Sequence, residues 1–156
     1  MINQEKKPNI IIIFADDLGY GDLGCYGSKI NETPTLDRMA DEGKKFSNFY
    51  VSSPVCSPSR ASLLTGCYPQ RISFGTFDGL RVLFPGQGIG LSTEEKTIAK
   101  TLKESGYSTK IIGKWHCGDQ EDFLPTNHGF DSYFGIPYSN DMGRQVKIKD
   151  YIPNDS

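Results

Sequence analysis

The sequence predicts an α/β fold built on a largely parallel sheet, and three observations carry that expectation. Asn9 to Phe14 is a continuous, isoleucine-rich apolar run, the pattern of a central strand covered on both faces. Helical and strand-like stretches then alternate along the chain. The polar residue types suited to chemistry fall just after the strand-like runs, where open α/β sheets place their ligands. The chain of 156 residues is long enough to bury a core, and its length predicts one domain at most.

The first run ends in Ala15-Asp16-Asp17. Two adjacent carboxylates repel each other in a cleft, so a cation between them is the chemistry such a pair suggests. A hard divalent metal, calcium or alternatively magnesium, suits oxygen donors of this kind. A solvated turn is the other reading, and from the pair alone it is the better one. Gly19 to Gly24 then matches G-x-G-x-x-G. A dinucleotide site is rejected here, because no helix follows the glycines directly, Cys25-Tyr26-Gly27-Ser28 leading on through loop chemistry, and Asp16, Asp17 and Asp22 would repel a pyrophosphate.

Thr33-Pro34 opens a helix with Leu36, Met39 and Ala40 on one face, stopped by Gly43. Phe46 to Val51 reads as a second, buried strand, apolar on both faces. Cys56-Ser57-Pro58-Ser59-Arg60 follows, and continues as Ala61-Ser62-Leu63-Leu64-Thr65-Gly66. Pro58 suits a first helical position, with Ser57 or Cys56 as the cap and Gly66 as the stop. Cys56 then lies at the positive end of a helix, and Arg60 one turn on projects toward the same place. A lone cysteine is more often a small buried hydrophobe. A thiolate phosphatase loop fits poorly, because it places its arginine further from the cysteine than the four positions found here. Zinc fits poorly too, since Cys25, Cys56, Cys67 and Cys117 show no Cys-x-x-Cys pairing.

Cys67 to Gly90 is rich in glycine and proline and reads as surface loop, including Gly86-Gln87-Gly88-Ile89-Gly90. Ser92 and Glu95 form a capping box for a helix carrying Ile98, Ala99 and Leu102, closed by Gly106. Tyr107 to Ile112 is a third strand, followed by Gly113-Lys114-Trp115-His116. Lys114 and His116, two apart in an extended segment, can point to one side and suit an anion and a proton transfer, although taken alone a solvated lysine and a hydrogen-bonded histidine are the better reading.

Composition narrows the function classes. Hydrophobic residues make up 37% and charged residues 23%, ordinary for a globular chain. A formal charge of −2 gives no support to a nucleic-acid or membrane-surface role. Ile10 to Phe14 is too short to span a bilayer. Met1 to Pro8 is polar without an apolar core, so no signal peptide is expected in this chain and the compartment stays open. Four cysteines do not make a disulfide framework at this length.

Cys-x-Pro-x-Arg with its Ala-Ser-Leu-Leu-Thr-Gly continuation, together with Gly113-Lys114-Trp115-His116, resembles the two signatures of the type I sulfatases. Phe123-Leu124-Pro125, His128-Gly129-Phe130-Asp131 and Phe134 to Ser139 extend the likeness toward the arylsulfatase A branch, so that it runs from about Asn9 to Met142. The resemblance implies an alkaline-phosphatase-like sandwich, a mixed and mostly parallel sheet between helices. Residues 1–156 would be the amino-terminal part of a single catalytic domain, with the sheet incomplete.

The implied reaction is hydrolysis of a sulfate monoester, on a small molecule or a glycan. Cys56 would be oxidised to formylglycine by a formylglycine-generating enzyme, and its hydrated aldehyde would attack sulfur. Asp16, Asp17 and the Cys56 side chain would hold the metal. Arg60 and Lys114 would stabilise charge on the sulfuryl oxygens, His116 would shuttle the proton, Ser139 would contact substrate, and His128 would be structural. The later Asp-Asn pair, second lysine and second catalytic histidine of the family have no counterpart here, and family members are much longer. A phosphonate or phosphodiester hydrolase of the same superfamily, and an inactive anion-binding fragment, are the alternatives. Relatives are usually exported or lysosomal.

Overall fold

The computed structural model describes residues 7–142, which fall into two compact units divided between Phe49 and Tyr50. In the first unit, Asn9 to Phe14 is extended but belongs to no ladder, and Ile11 and Ile13 are 83% and 77% exposed. The expected buried central strand is therefore not formed among the described residues. A strand exists only through a neighbour's hydrogen bonds, and none lies alongside this run. The same correction applies to Phe46 to Val51, which has no strand partner among the described residues and leaves Phe46, Phe49, Tyr50 and Val51 exposed.

Gly19 to Gly24 contributes to two short 3-10 turns, Tyr20–Asp22 and Gly24–Tyr26, rather than to a strand–loop–helix phosphate cradle. The loop is knit to the start of helix α1, Pro34–Glu42. Thr33 Oγ1 accepts from the Gly24 amide at 2.8 Å and donates to Asp37, whose carboxylate also accepts from the Cys25 amide at 2.6 Å. The helix starts and stops where Thr33-Pro34 and Gly43 place its ends.

The second unit is built on helix α2, Cys56–Thr65, helix α3, Ile98–Glu104, and two parallel strands, β1 (Lys110–Lys114) and β2 (Ser132–Ile136). Ile112 pairs with Phe134, and Gly113 with Gly135. At that last pair the strands approach so closely that a Cβ on Gly135 would run into the Gly113 carbonyl, so no larger residue fits. Pairing continues past the strands, with the Trp115 amide on the Ile136 carbonyl at 3.1 Å and the His116 amide on that of Pro137 at 2.7 Å. β2 was not anticipated, although Ser-Tyr-Phe-Gly-Ile carries aromatic and β-branched residues suited to a strand.

Helix α2 begins two residues earlier than Pro58 suggested, with Val55 as N-cap and Cys56 as its first residue. Pro58 becomes the third helical residue and costs no bond there, because the N–H groups of the first turn have no intrahelical acceptor. Gly66 closes the helix in the left-handed conformation, φ 70°, its amide on the Ser62 carbonyl at 2.8 Å. Helix α3 begins later than the Ser92–Glu95 box implied. Those residues form a separate turn, and Thr97 is the cap: its hydroxyl accepts from the Lys100 amide at 3.1 Å and donates to the His128 carbonyl at 2.5 Å.

The largest departure is residues 67–90. This stretch is irregular, as expected, but Ile72, Phe74, Phe77 and Leu83 from it are buried in the core of the second unit with Ala61, Leu64, Leu91 and Trp115. Polar punctuation marked a loop; the apolar residues between the glycines pull that loop inward. The Trp115 indole donates to the Phe123 carbonyl at 2.8 Å, and its ring lies 5.5 Å from that of His128 and 6.3 Å from that of Phe130. Among the described residues no helix is long and apolar enough to cross a membrane.

Candidate active site

Cys56 opens helix α2 half-buried, where the unpaired amides and the helix dipole favour negative charge. One turn on, the Arg60 guanidinium donates from Nη1 to the carbonyl of Lys114 at 2.8 Å. That bond ties the cysteine helix to the carboxyl end of β1, the segment that carries Lys114 and His116.

Lys114 ends the extended strand, and His116 leaves it. His116 has a φ of 59°, in the left-handed region where a residue with a Cβ is strained. The extended geometry expected across both residues therefore stops short of the histidine. Its position is held by the backbone bond to Pro137, by the edge of Tyr138 at 5.1 Å between ring centroids and 83° between planes, and by a 3.0 Å contact from Nε2 to the Leu83 carbonyl. A carbonyl only accepts, so Nε2 carries the hydrogen and Nδ1 holds the lone pair of the neutral ring. His116 is fully buried.

Ser139 and Asp141 stand at the other end of the same cluster. A hydrogen bond from the Ser139 side chain, with one from its own backbone, holds the Asp141 carboxyl below the usual carboxylate range. The positive charge of Lys114, and that of His116 whenever it is protonated, acts in the same direction. Arg60, Lys114, His116 and Ser139 are thus linked within the second unit, and Asp141 joins them. Asp141 was not singled out from the sequence; its place two residues after Ser139 was the only signal.

Burial pushes the Cys117 thiol far up, against the opposing pull of Arg60, so this cysteine is an inert core residue. His128 is also buried and is lowered to about 4 by burial and by the charge of Lys100, which suits the structural role expected of it.

Asp16 and Asp17 lie in the first unit, exposed, with Asp17 at a φ of 55°. Their oxygens suit a hard cation, yet two carboxylates are fewer donors than calcium takes. Among the described residues no group of three or more His, Cys, Asp or Glu side chains is gathered that could hold a metal ion. These residues do not complete a metal shell, and no chemical step is derived through one.

The family model described as Sulfatase matches residues 8–155. Human arylsulfatase A is 51% identical over 140 residues, covering 88% of this chain and 27% of that protein. The crystal structure of Ps i-CgsB in complex with k-i-k-neocarrahexaose superposes with a TM-score of 0.80 at 44% identity, over 86% of this chain and 29% of that one. BT4656, solved in complex with its substrate D-glucosamine-2-N,6-O-disulfate, gives a TM-score of 0.67 at 33% identity, over 82% and 23% of the two chains. This chain thus spans about a quarter of the length of the relatives it matches. The fold is that of these neighbours, the alkaline-phosphatase-like α/β sandwich, represented here by a small parallel sheet and its helices. By motif, by sequence and by structure, the chain belongs to the sulfatase family.

Proposed function

We propose that this chain carries the nucleophile-bearing part of a sulfate-ester hydrolase, with Cys56 converted to formylglycine by a formylglycine-generating enzyme. The observation that carries the reading is the Arg60–Lys114 bond, because it joins the two motifs that such chemistry needs in one place. The hydrated aldehyde at position 56 supplies one hydroxyl as nucleophile and a second through which sulfate is released. The chain's own residues do the rest.

Lys114 and Arg60 stabilise the charge that develops on the sulfuryl oxygens, aided by the amino end of α2. His116 accepts a proton at Nδ1, since Nε2 is committed to the Leu83 carbonyl. Ser139 contacts the substrate, its hydroxyl oriented by Asp141. Asp16 and Asp17 are the residues that would hold a divalent cation, calcium or magnesium. The substrate class is a sulfated sugar, a reading supported by the disulfated glucosamine bound by BT4656.

Parallel assays of the purified protein on an aryl sulfate and an aryl phosphodiester test the proposal. Preferential turnover of the sulfate ester supports it. Preferential turnover of the phosphodiester replaces it with the phosphodiesterase reading, and binding of anions without turnover of either ester replaces it with a non-catalytic one.

A further inference from the structure

We infer that Ser57 and Gln87 are positioning residues for His116, acting through the backbone at Leu83; the inference rests on the reading of His116 as the proton acceptor. Ser57, the residue after the nucleophile, is fully buried, and its hydroxyl accepts from the Leu83 amide at 3.0 Å. The carbonyl of the same residue faces His116 Nε2 at 3.0 Å. That carbonyl shares a rigid peptide plane with the Phe84 amide, which donates to Gln87 Oε1 at 2.7 Å.

Leu83 is therefore clamped from both neighbouring peptides, and its side chain, fully buried, fixes the backbone between them. The Gln87 end is itself anchored, because the Gly86 amide donates to Asp119 at 2.8 Å, three residues after His116. The orientation of Gln87 follows from its partner: an N–H donor requires the amide oxygen, not the nitrogen. The consequence is chemical as well as structural. The clamped carbonyl demands a hydrogen on Nε2, so the lone pair sits on Nδ1 before any substrate arrives. The glycine-rich stretch around Gln87 is thus a device for aiming one carbonyl rather than a phosphate cradle.

The test is nitrogen NMR of the imidazole rings in the full chain, which has only two histidines. Native His116 is expected in the Nε2–H form. Ser57→Ala and Gln87→Leu should each raise the population of the Nδ1–H form about fivefold, the equivalent of one ordinary hydrogen bond. Ser57→Thr and Gln87→Glu keep the acceptor oxygen and should retain the native ratio, while the His128 signals stay unchanged throughout. Gln87 is only partly buried, so its variants decide the matter even where Ser57→Ala does not fold. A native His116 in the Nδ1–H form, or a ratio that Gln87→Leu leaves unmoved, overturns the inference. The tautomer is read without substrate, so a failed sulfatase assay leaves this result standing, and an unresponsive tautomer leaves the sulfatase assay standing.

Discussion

The guanidinium of Arg60 holds the backbone carbonyl of Lys114 at 2.8 Å, across fifty-four positions of sequence. A side chain of the cysteine helix thereby fixes the end of β1. Arg60→Ala strands a partly buried carbonyl and should lower stability by about 1–3 kcal/mol. Lysine lacks the planar fork and should recover only part of this loss. Urea unfolding of the three proteins checks the order; an alanine variant as stable as the parent would leave the bond without weight.

Gly135 should tolerate no side chain. A Cβ there meets the Gly113 backbone across the parallel pair, where neither strand can give without losing its ladder. Gly135→Ala should cost roughly 3 kcal/mol or more. Gly21→Ala, where a Cβ meets nothing within 4 Å, is the matched control and should change little. Thermal melts of the two variants give the comparison.

Stability should depend on pH through His128. Its pKa is lowered from 6.5 to about 4 in the folded chain, because burial and the Lys100 charge disfavour the imidazolium. Between those values the unfolded chain binds more protons, so stability is fully present above pH 6.5 and is lost as pH falls toward 4. The loss should reach roughly 2–3 kcal/mol at most. Both ring nitrogens lack a hydrogen-bond partner, so His128→Leu removes no bond and should flatten this slope. Urea midpoints across that pH range decide it, and a slope unchanged by the substitution would assign the effect elsewhere.

How much of this was legible beforehand divides along a physical line. Local signals placed α1 between Thr33-Pro34 and Gly43, closed α2 at Gly66, and located Lys114 at a strand end, because caps and stops act within a few residues. The isoleucine run at Asn9 to Phe14 reads as a covered strand, yet a ladder needs a neighbour, and periodicity does not show whether one lies alongside. Phe74, Phe77 and Leu83 were missed as core because the glycines and prolines around them signal turns more strongly than three apolar residues signal burial. Within the proposed site, Arg60, Lys114 and His116 were named from their motifs and the family resemblance those motifs carry. Side-chain chemistry could not pick out Leu83, whose part is taken by backbone atoms that every residue possesses.

Replacing the proposed nucleophile should separate the two chemical steps. Cys56→Ser keeps a hydroxyl at the amino end of α2 and should accumulate a sulfate ester on that serine when the protein is incubated with excess aryl sulfate. A serine has no geminal hydroxyl through which His116 could release the sulfate, so the ester should persist. Cys56→Ala should form no adduct. Intact mass reads both outcomes, and a serine variant that turns over at the parental rate without an adduct would remove position 56 from the chemistry.

The central claim is that Cys56 does not remain a cysteine. Mass spectrometry of the peptide containing it, from protein produced in cells that hold a formylglycine-generating enzyme, tests this without needing the natural substrate. The expected result is an aldehyde in place of the thiol at position 56, reactive toward hydrazides and inert to alkylation, with Cys25, Cys67 and Cys117 of the same preparation still thiols. A Cys56 peptide found only as alkylatable thiol would contradict the account.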